Sequence, residues 1–311
     1  VKTIFFTGKG GVGKSTLSAA AAYQLSQRGD RVLAISFDPA HNLGDIFDVK
    51  LSHKVKKFSD TLYLQETDLE EAAEEYIRQN TDILTEIYSY TRAFNLDRYF
   101  KVLRHSPGVE EYAALTALEE LLRTANDYDV VVVDTPPTGL TLRIMALPRI
   151  TITWVDRLRR IRRDILDKRH TVHTITGQYN EAGTKLAYEA KDDRVMIKLD
   201  ELFNRYVNVA KHLESDETQI AVVFNPDYLS LRESQRIFNG LDDLNLNVDV
   251  AFTNKYTEGL KQIADEMEKE LLGPLSEKPR HARVPWEPYK RERAYDLKFD
   301  MLPFITDGTT N

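Results

Sequence analysis

The sequence predicts an α/β fold: a doubly wound, mostly parallel sheet with an α-helical subdomain inserted in it. Three observations lead there. An apolar, β-prone run, Ile4-Phe5-Phe6, feeds a glycine-rich turn from Gly8 to Ser15, and an alanine-rich helical stretch follows from Leu17 to Gln27. Further short apolar runs (31–38, 129–134, 220–224 and 248–254) each end in or run into a polar residue, as buried parallel strands do at a ligand-facing edge. Between them, apolar residues recur at three- and four-residue spacing, the helical period. A strand–turn–helix–strand order implies right-handed crossovers within one sheet.

The turn reads Gly8-Lys-Gly-Gly-Val-Gly-Lys-Ser15 and fits G-x-x-x-x-G-K-[ST] at every fixed position. This is the phosphate-binding loop of a P-loop NTPase. Gly8, Gly10, Gly11 and Gly13 allow successive backbone N–H groups, that of Val12 included, to point inward at phosphate oxygens, and the new helix adds its positive end. Lys14 is expected to reach the β- and γ-phosphates, Ser15 to ligate Mg²⁺, and Thr16 to donate to the α-phosphate. Lys9 is a second lysine at the start of the loop. It is expected to point away from its own phosphates, so its natural use is on a nucleotide held by a second subunit, as an arginine finger is used. The expectation is a homodimer that sandwiches nucleotide.

Composition bounds the rest. The 311 residues suffice for one large or two modest domains, and 42% apolar content with a net charge of −7 describes a soluble, mildly acidic globular protein. No run reaches the ~18 apolar residues of a membrane span, and no signal-peptide pattern opens the chain. The loop needs ATP or GTP, so the cytoplasm is expected. Cysteine is absent, which excludes disulfides, Cys-ligated zinc and thiolate sites for soft metals. No zinc is expected, and the histidines show no metal-ligand spacing.

In chain order, Asp38 ends the second strand, where an acid can orient or deprotonate water; an aspartate before proline is equally a turn former or helix cap. Residues 49–127 read as helical, with Glu66, Asp68, Glu70, Glu71, Glu74 and Glu75 on a solvated face. Asp134 closes a continuous apolar run as a Walker B acid would, helping to hold Mg²⁺ through water. Thr135 to Arg143 is a candidate second switch. Asn254-Lys255-Tyr256-Thr257 lacks the aspartate of the guanine-reading N-K-x-D pattern. Over 155–169, Val155, Leu158, Ile161 and Ile165 form a helical stripe among arginines. Such a basic helix suits acidic lipid or nucleic acid; the expectation is a helix packed by its stripe and solvated by its charges. The tail holds Tyr295 to Phe304 as a closing helix.

Taken together, Gly8 to Thr16, Asp38-Pro-Ala-His-Asn-Leu-Gly-Asp45, Ser106-Pro-Gly-Val-Glu-Glu111 and Asp134-Thr-Pro-Pro-Thr-Gly-Leu-Thr-Leu-Arg143 resemble the ATPase family of arsenite-pump motors and targeting factors for tail-anchored membrane proteins. Pro136 and Leu140 stand where that family usually has Ala and His. The resemblance implies ATP and Mg²⁺ as ligands, Asp38 as the acid that activates water, and Lys9 as the inter-subunit lysine. It implies Asp227 as a nucleotide contact across the dimer, Asn254 as the reader of adenine, and Pro285 in a loop beside the base. A helix cap is the other reading of Asp227. It further implies a single ATPase domain over 1–311, with a helical subdomain from about 66–103 and 150–200 that holds a client's hydrophobic C-terminal segment. Client grooves favour methionine-rich surface, and this chain has four Met. An arsenite-pump motor needs thiolates for trivalent arsenic. A partition or septum ATPase would bind DNA or membrane, but the switches do not suit it, so nucleic acid is not an expected partner.

Overall fold

The computed structural model describes residues 1–38, 42–69, 71–74, 108–176, 187, 189–286 and 295–306. The chain packs as two units, one of Val1–Met145 with Leu213–Asn311 and a second of Ala146–His212.

The first unit is built on an eight-stranded sheet in the order β3-β4-β2-β5-β1-β6-β7-β8. The strands are β1 (Lys2–Gly8), β2 (Val32–Ser36), β3 (Lys56–Lys57), β4 (Leu62–Glu66), β5 (Val130–Asp134), β6 (Thr218–Phe224), β7 (Val250–Tyr256) and β8 (Arg280–Pro285). Every pairing is parallel except that of β3 with β4. β1, β2, β5 and β6 are buried along nearly their whole length, which is why they read as unbroken apolar runs rather than alternating ones. The chain reverses direction across the sheet at β1, with β5 on one side and β6 on the other. Ligands in open α/β sheets bind at such a switch point, beyond the strands' carboxyl ends.

The helices are α1 (Lys14–Arg28), α2 (Asn42–Phe47), α3 (Val109–Thr124), α4 (Thr138–Thr176), α5 (Arg194–Leu213), α6 (Tyr228–Asp243), α7 (Lys261–Leu272) and α8 (Leu302–Ile305). On α1, four successive alanines, Ala19 to Ala22, are fully buried against the sheet. Side chains that small let helix and sheet backbones approach closely, and Gly29 in the left-handed region ends the helix. Phe6 and Phe252 stack in the core at 6.2 Å between ring centroids.

Three expectations need correction. The 49–127 stretch is not uniformly helical, because β3 and β4 lie within it; Leu62 and Leu64 alternate with less buried neighbours, a two-residue period too short to stand out. Ala282 to Pro285 forms edge strand β8 rather than a loop. The closing helix shrinks to Leu302–Ile305: Gln24 bonds the carbonyl of Phe299 and the amide of Met301, holding 297–301 in an irregular path. The segment from 75 to 103, expected in the helical subdomain, lies outside the described residues.

In the second unit α4 and α5 are tied by part-buried ion pairs. Arg162 donates through Nε and Nη2 to Asp193, at 2.9 and 2.6 Å, and Asp193 also accepts from the Met196 amide at the start of α5. Arg159 donates to Asp200 at 2.6 Å and lies over the Phe203 ring. Val155 and Leu166 are buried, whereas Leu158, Ile161 and Ile165 are exposed. The stripe read from the sequence is therefore not the packed face. Two of the arginines expected to solvate the helix pack it instead.

Candidate nucleotide site

The site is assembled at the carboxyl ends of β1, β2, β5 and β7. Gly8 ends β1, and a Cβ there would stand 2.2 Å from the Val223 carbonyl oxygen, so the loop begins where only glycine fits. Gly11 and Gly13 have φ of 80° and 96°, the left-handed region that favours glycine. A Cβ on Gly13 would meet Asn254 Nδ2 at 2.4 Å. Gly10 shows no close neighbour at its Cβ position, so space does not demand a glycine there. Val12 is buried under the loop. Lys14 opens α1 and is 5% exposed, and Ser15 and Thr16 are half-buried in its first turn. Lys9 is half-exposed and makes no ion pair among the described residues.

Asp134 lies at the end of β5, next to β1. Burial pushes its carboxyl up to about 6, while the Ser15 hydroxyl, the Lys14 ammonium and the Ser36 hydroxyl pull it down and Asp38 adds a like charge. Ser36 Oγ donates to Asp134 Oδ2 at 3.4 Å and accepts from the Asp38 amide at 3.2 Å. One serine thus links the two acids. Asp134 Oδ1 is buried without a hydrogen-bond partner. An orphaned carboxylate oxygen beside a lysine, a serine and a glycine cradle fits a bound phosphate chain and its divalent cation. Ser15 and Asp134 are the residues that would hold that cation, Asp134 through water.

The segments expected to act as switches are anchored by contacts the sequence did not reveal. Glu66, assigned above to a solvated face, is 7% exposed at the end of β4 and accepts from the Gly44 amide at 2.8 Å, tying down α2 after Asp38. Asp68 caps the next helical turn through the Glu71 amide. In the candidate second switch, Thr135 Oγ1 donates to the Phe6 carbonyl, Thr141 Oγ1 to that of Pro136, and Arg143 pairs with Glu111 at 3.1 Å. His41 lies outside the described residues.

Beside the loop, Asn254 is 8% exposed and donates from Nδ2 to the Val12 carbonyl at 2.7 Å, which leaves its Oδ1 to offer a ligand. Pro285 is exposed at the end of β8, paired in register with Tyr256. Asp227 caps α6 through the Ser230 amide at 2.8 Å. Asp227 is also exposed, so the cap does not hide it from a second copy.

A family model described as Anion-transporting ATPase matches residues 1–270. The chain belongs to that family. Among the anion-transporting ATPases and their kin it is similar to putative arsenical pump-driving ATPase 1 of Aquifex aeolicus (strain VF5), 32% identical over 268 residues. That match covers 82% of this chain and 63% of the relative. It is also similar to putative arsenical pump-driving ATPase 2 of the same organism, 29% identical over 82% of this chain and 80% of the relative. The ATPase ASNA1 homolog of Dictyostelium discoideum is 28% identical over 287 residues, 89% of this chain and 80% of the relative. The chain thus spans less than two thirds of the first of these and most of the other two. Among the described residues no helix is long and apolar enough to cross a membrane.

Proposed function

We propose that this anion-transporting ATPase family member is a Mg²⁺-dependent, homodimeric ATP-hydrolysing switch whose helical unit carries a hydrophobic C-terminal segment of a membrane protein. The observation that carries the client reading is the face of α4 turned to solvent. Trp154 (64% exposed), Leu158, Ile161 and Ile165 follow one another at helical spacing on a face distinct from the Val155–Leu166 side, and beyond the exposed Lys168 the same face resumes at Val172 and Ile175. From 154 to 175 that seam is ~32 Å long at ~1.5 Å per residue. This is the length of the ~20-residue helix that spans a bilayer. Soluble proteins rarely leave so many large apolar side chains exposed along one helix face without a partner.

For hydrolysis, Lys14 and the loop amides hold the phosphates, Asp38 takes the proton of the attacking water or orients it, and Lys9 completes the partner's site. When bound, the cation supplies neutralisation of charge on the β- and γ-phosphates. Asn254 Oδ1, an acceptor, suits the 6-amino group of adenine and repels the 6-oxo group of guanine, which supports ATP over GTP.

Asp38→Asn protein loaded with ATP should co-purify with a peptide carrying a C-terminal hydrophobic segment, and Leu158→Asp with Ile161→Asp should abolish that capture. Capture by the double variant would remove the seam from the function. The pump-driving names of two relatives favour a second reading, the motor of an anion pump. Absence of a captured segment, with ATP turnover intact in the native chain, would select it.

A further inference from the structure

β7 should send successive side chains to opposite faces, yet Asn254 and Lys255 both reach the phosphate loop. Asn254 Nδ2 donates to the Val12 carbonyl at 2.7 Å and Lys255 Nζ to the Gly11 carbonyl at 2.8 Å. The backbone makes this possible. The β7–β8 register shifts between Thr253 and Tyr256, and Lys255 sits at φ 54°, a left-handed conformation that a lysine adopts only under constraint. Such an irregularity re-aims a side chain, and here it aims two at one loop. The Lys255 ammonium also lies 5.8 Å from the ring centroid of Trp286, the residue after Pro285. The Trp286 amide is bonded back to the Tyr256 carbonyl at 2.8 Å, which fixes the indole's backbone beside the same bulge.

We propose that Lys255 is a positioning residue that splints the phosphate loop from its base side, and that the Trp286 indole forms the wall of the purine slot read by Asn254. The idea rests on the ATPase reading above and adds two residues to it. Gly11 and Gly13 hold positive φ values, and the Gly11 carbonyl between them accepts from a cation. Loss of that cation lets the loop relax, which weakens any phosphate chain whether or not it carries a base. Trp286, in contrast, stands at the base end and serves the base alone. The two residues therefore predict different ligand patterns.

Calorimetry with ADP, ATP and inorganic tripolyphosphate separates them. Lys255→Met should weaken all three by about tenfold, the worth of a charge-assisted hydrogen bond, and Lys255→Arg should recover part of the loss. Trp286→Ala should weaken ADP and ATP but leave tripolyphosphate unchanged. The chain has two tryptophans, so Trp154→Phe leaves Trp286 as the sole indole reporter. Its fluorescence should change on adding ADP and not on adding tripolyphosphate. Unchanged affinities in Lys255→Met, or in Trp286→Ala, would overturn the assignment of that residue, as would silent fluorescence at calorimetric saturation with ADP. If the parent chain binds no ADP at all, the nucleotide reading itself falls and this inference with it; ADP binding with the wrong variant pattern sinks only the inference.

Discussion

Replacing Asp134 with Asn should make the nucleotide-free protein more stable at neutral pH, although it removes a residue of the site. Burial pushes this carboxyl from an ordinary 3.8 to about 6. Each pKa unit is worth about 1.36 kcal/mol, so holding Asp134 ionised in the fold costs about 3 kcal/mol above pH 7. The sign follows from linkage. With the folded value raised, the folded state binds the extra proton, so the contribution is present below the ordinary carboxylate value and is lost as pH rises through about 6. The Asn variant, which cannot ionise, should match the wild type below about pH 4, exceed it by roughly half the full amount at pH 5, and by about 3 kcal/mol at pH 7.5. Urea unfolding followed by circular dichroism in EDTA, at pH 5.0 and 7.5, reads this directly. Equal stability at pH 7.5, or a variant weaker than wild type, would show that the site already solvates the charge. Excess Mg²⁺ with ADP should reverse the order, because only the carboxylate gains from the cation.

Asp193→Ala should destabilise the helical unit by about 1–3 kcal/mol, since it removes both contacts to the half-buried Arg162 and the cap on the Met196 amide. Burial alone would raise Asp193, but Arg162 and the Met196 amide outweigh it and hold the carboxyl low. The pair's contribution is therefore full above the ordinary carboxylate range and lost as pH falls below it; thermal melts at pH 7 and pH 3 check both statements. Gly13→Ala forces a Cβ to 2.4 Å from Asn254 Nδ2 at a φ of 96°. It should reduce affinity for a fluorescent ATP analogue by well over tenfold, and unchanged affinity would mean the loop is not held as described. Lys9→Ala should lower turnover by about 10² or more while leaving ADP affinity of the isolated protomer unaltered. Full turnover would confine Lys9 to its own subunit or to solvent.

The central sheet and the phosphate loop were legible because their signals are local. Gly8 to Ser15 needs no distant partner to be recognised, and strands buried on both faces are apolar without interruption. Glu66 is illegible for the opposite reason. An acid amid other acids looks solvated until the fold brings the Gly44 amide to it. The α4 helix hides its packing in another way: Val155, Leu158, Ile161 and Ile165 satisfy a helical period, but the buried residues are Val155 and Leu166, and the ties to the start of α5 come from Arg159 and Arg162. Periodicity gives a stripe's width without its owner, and arginines paired with aspartates some 31 and 41 positions away look like surface until those partners are placed. Lys255 stands out in the sequence only within a pattern that lacks its aspartate. Its use depends on a bulge, which no short-range composition encodes.

The two borders of the sheet bear on how copies of the chain can meet. β3 is only Lys56 and Lys57, both exposed, and β8 carries Arg280 and Arg283 and stops at Pro285. A row of unpaired amides normally invites another strand, and short length, cations and proline are the features that discourage it. Neither border can readily recruit a neighbouring chain into a continuous ribbon, so this sheet resists fibrous growth. The proposed dimer would then be held by side chains and loop ends, where contact can be made and broken without unzipping backbone hydrogen bonds.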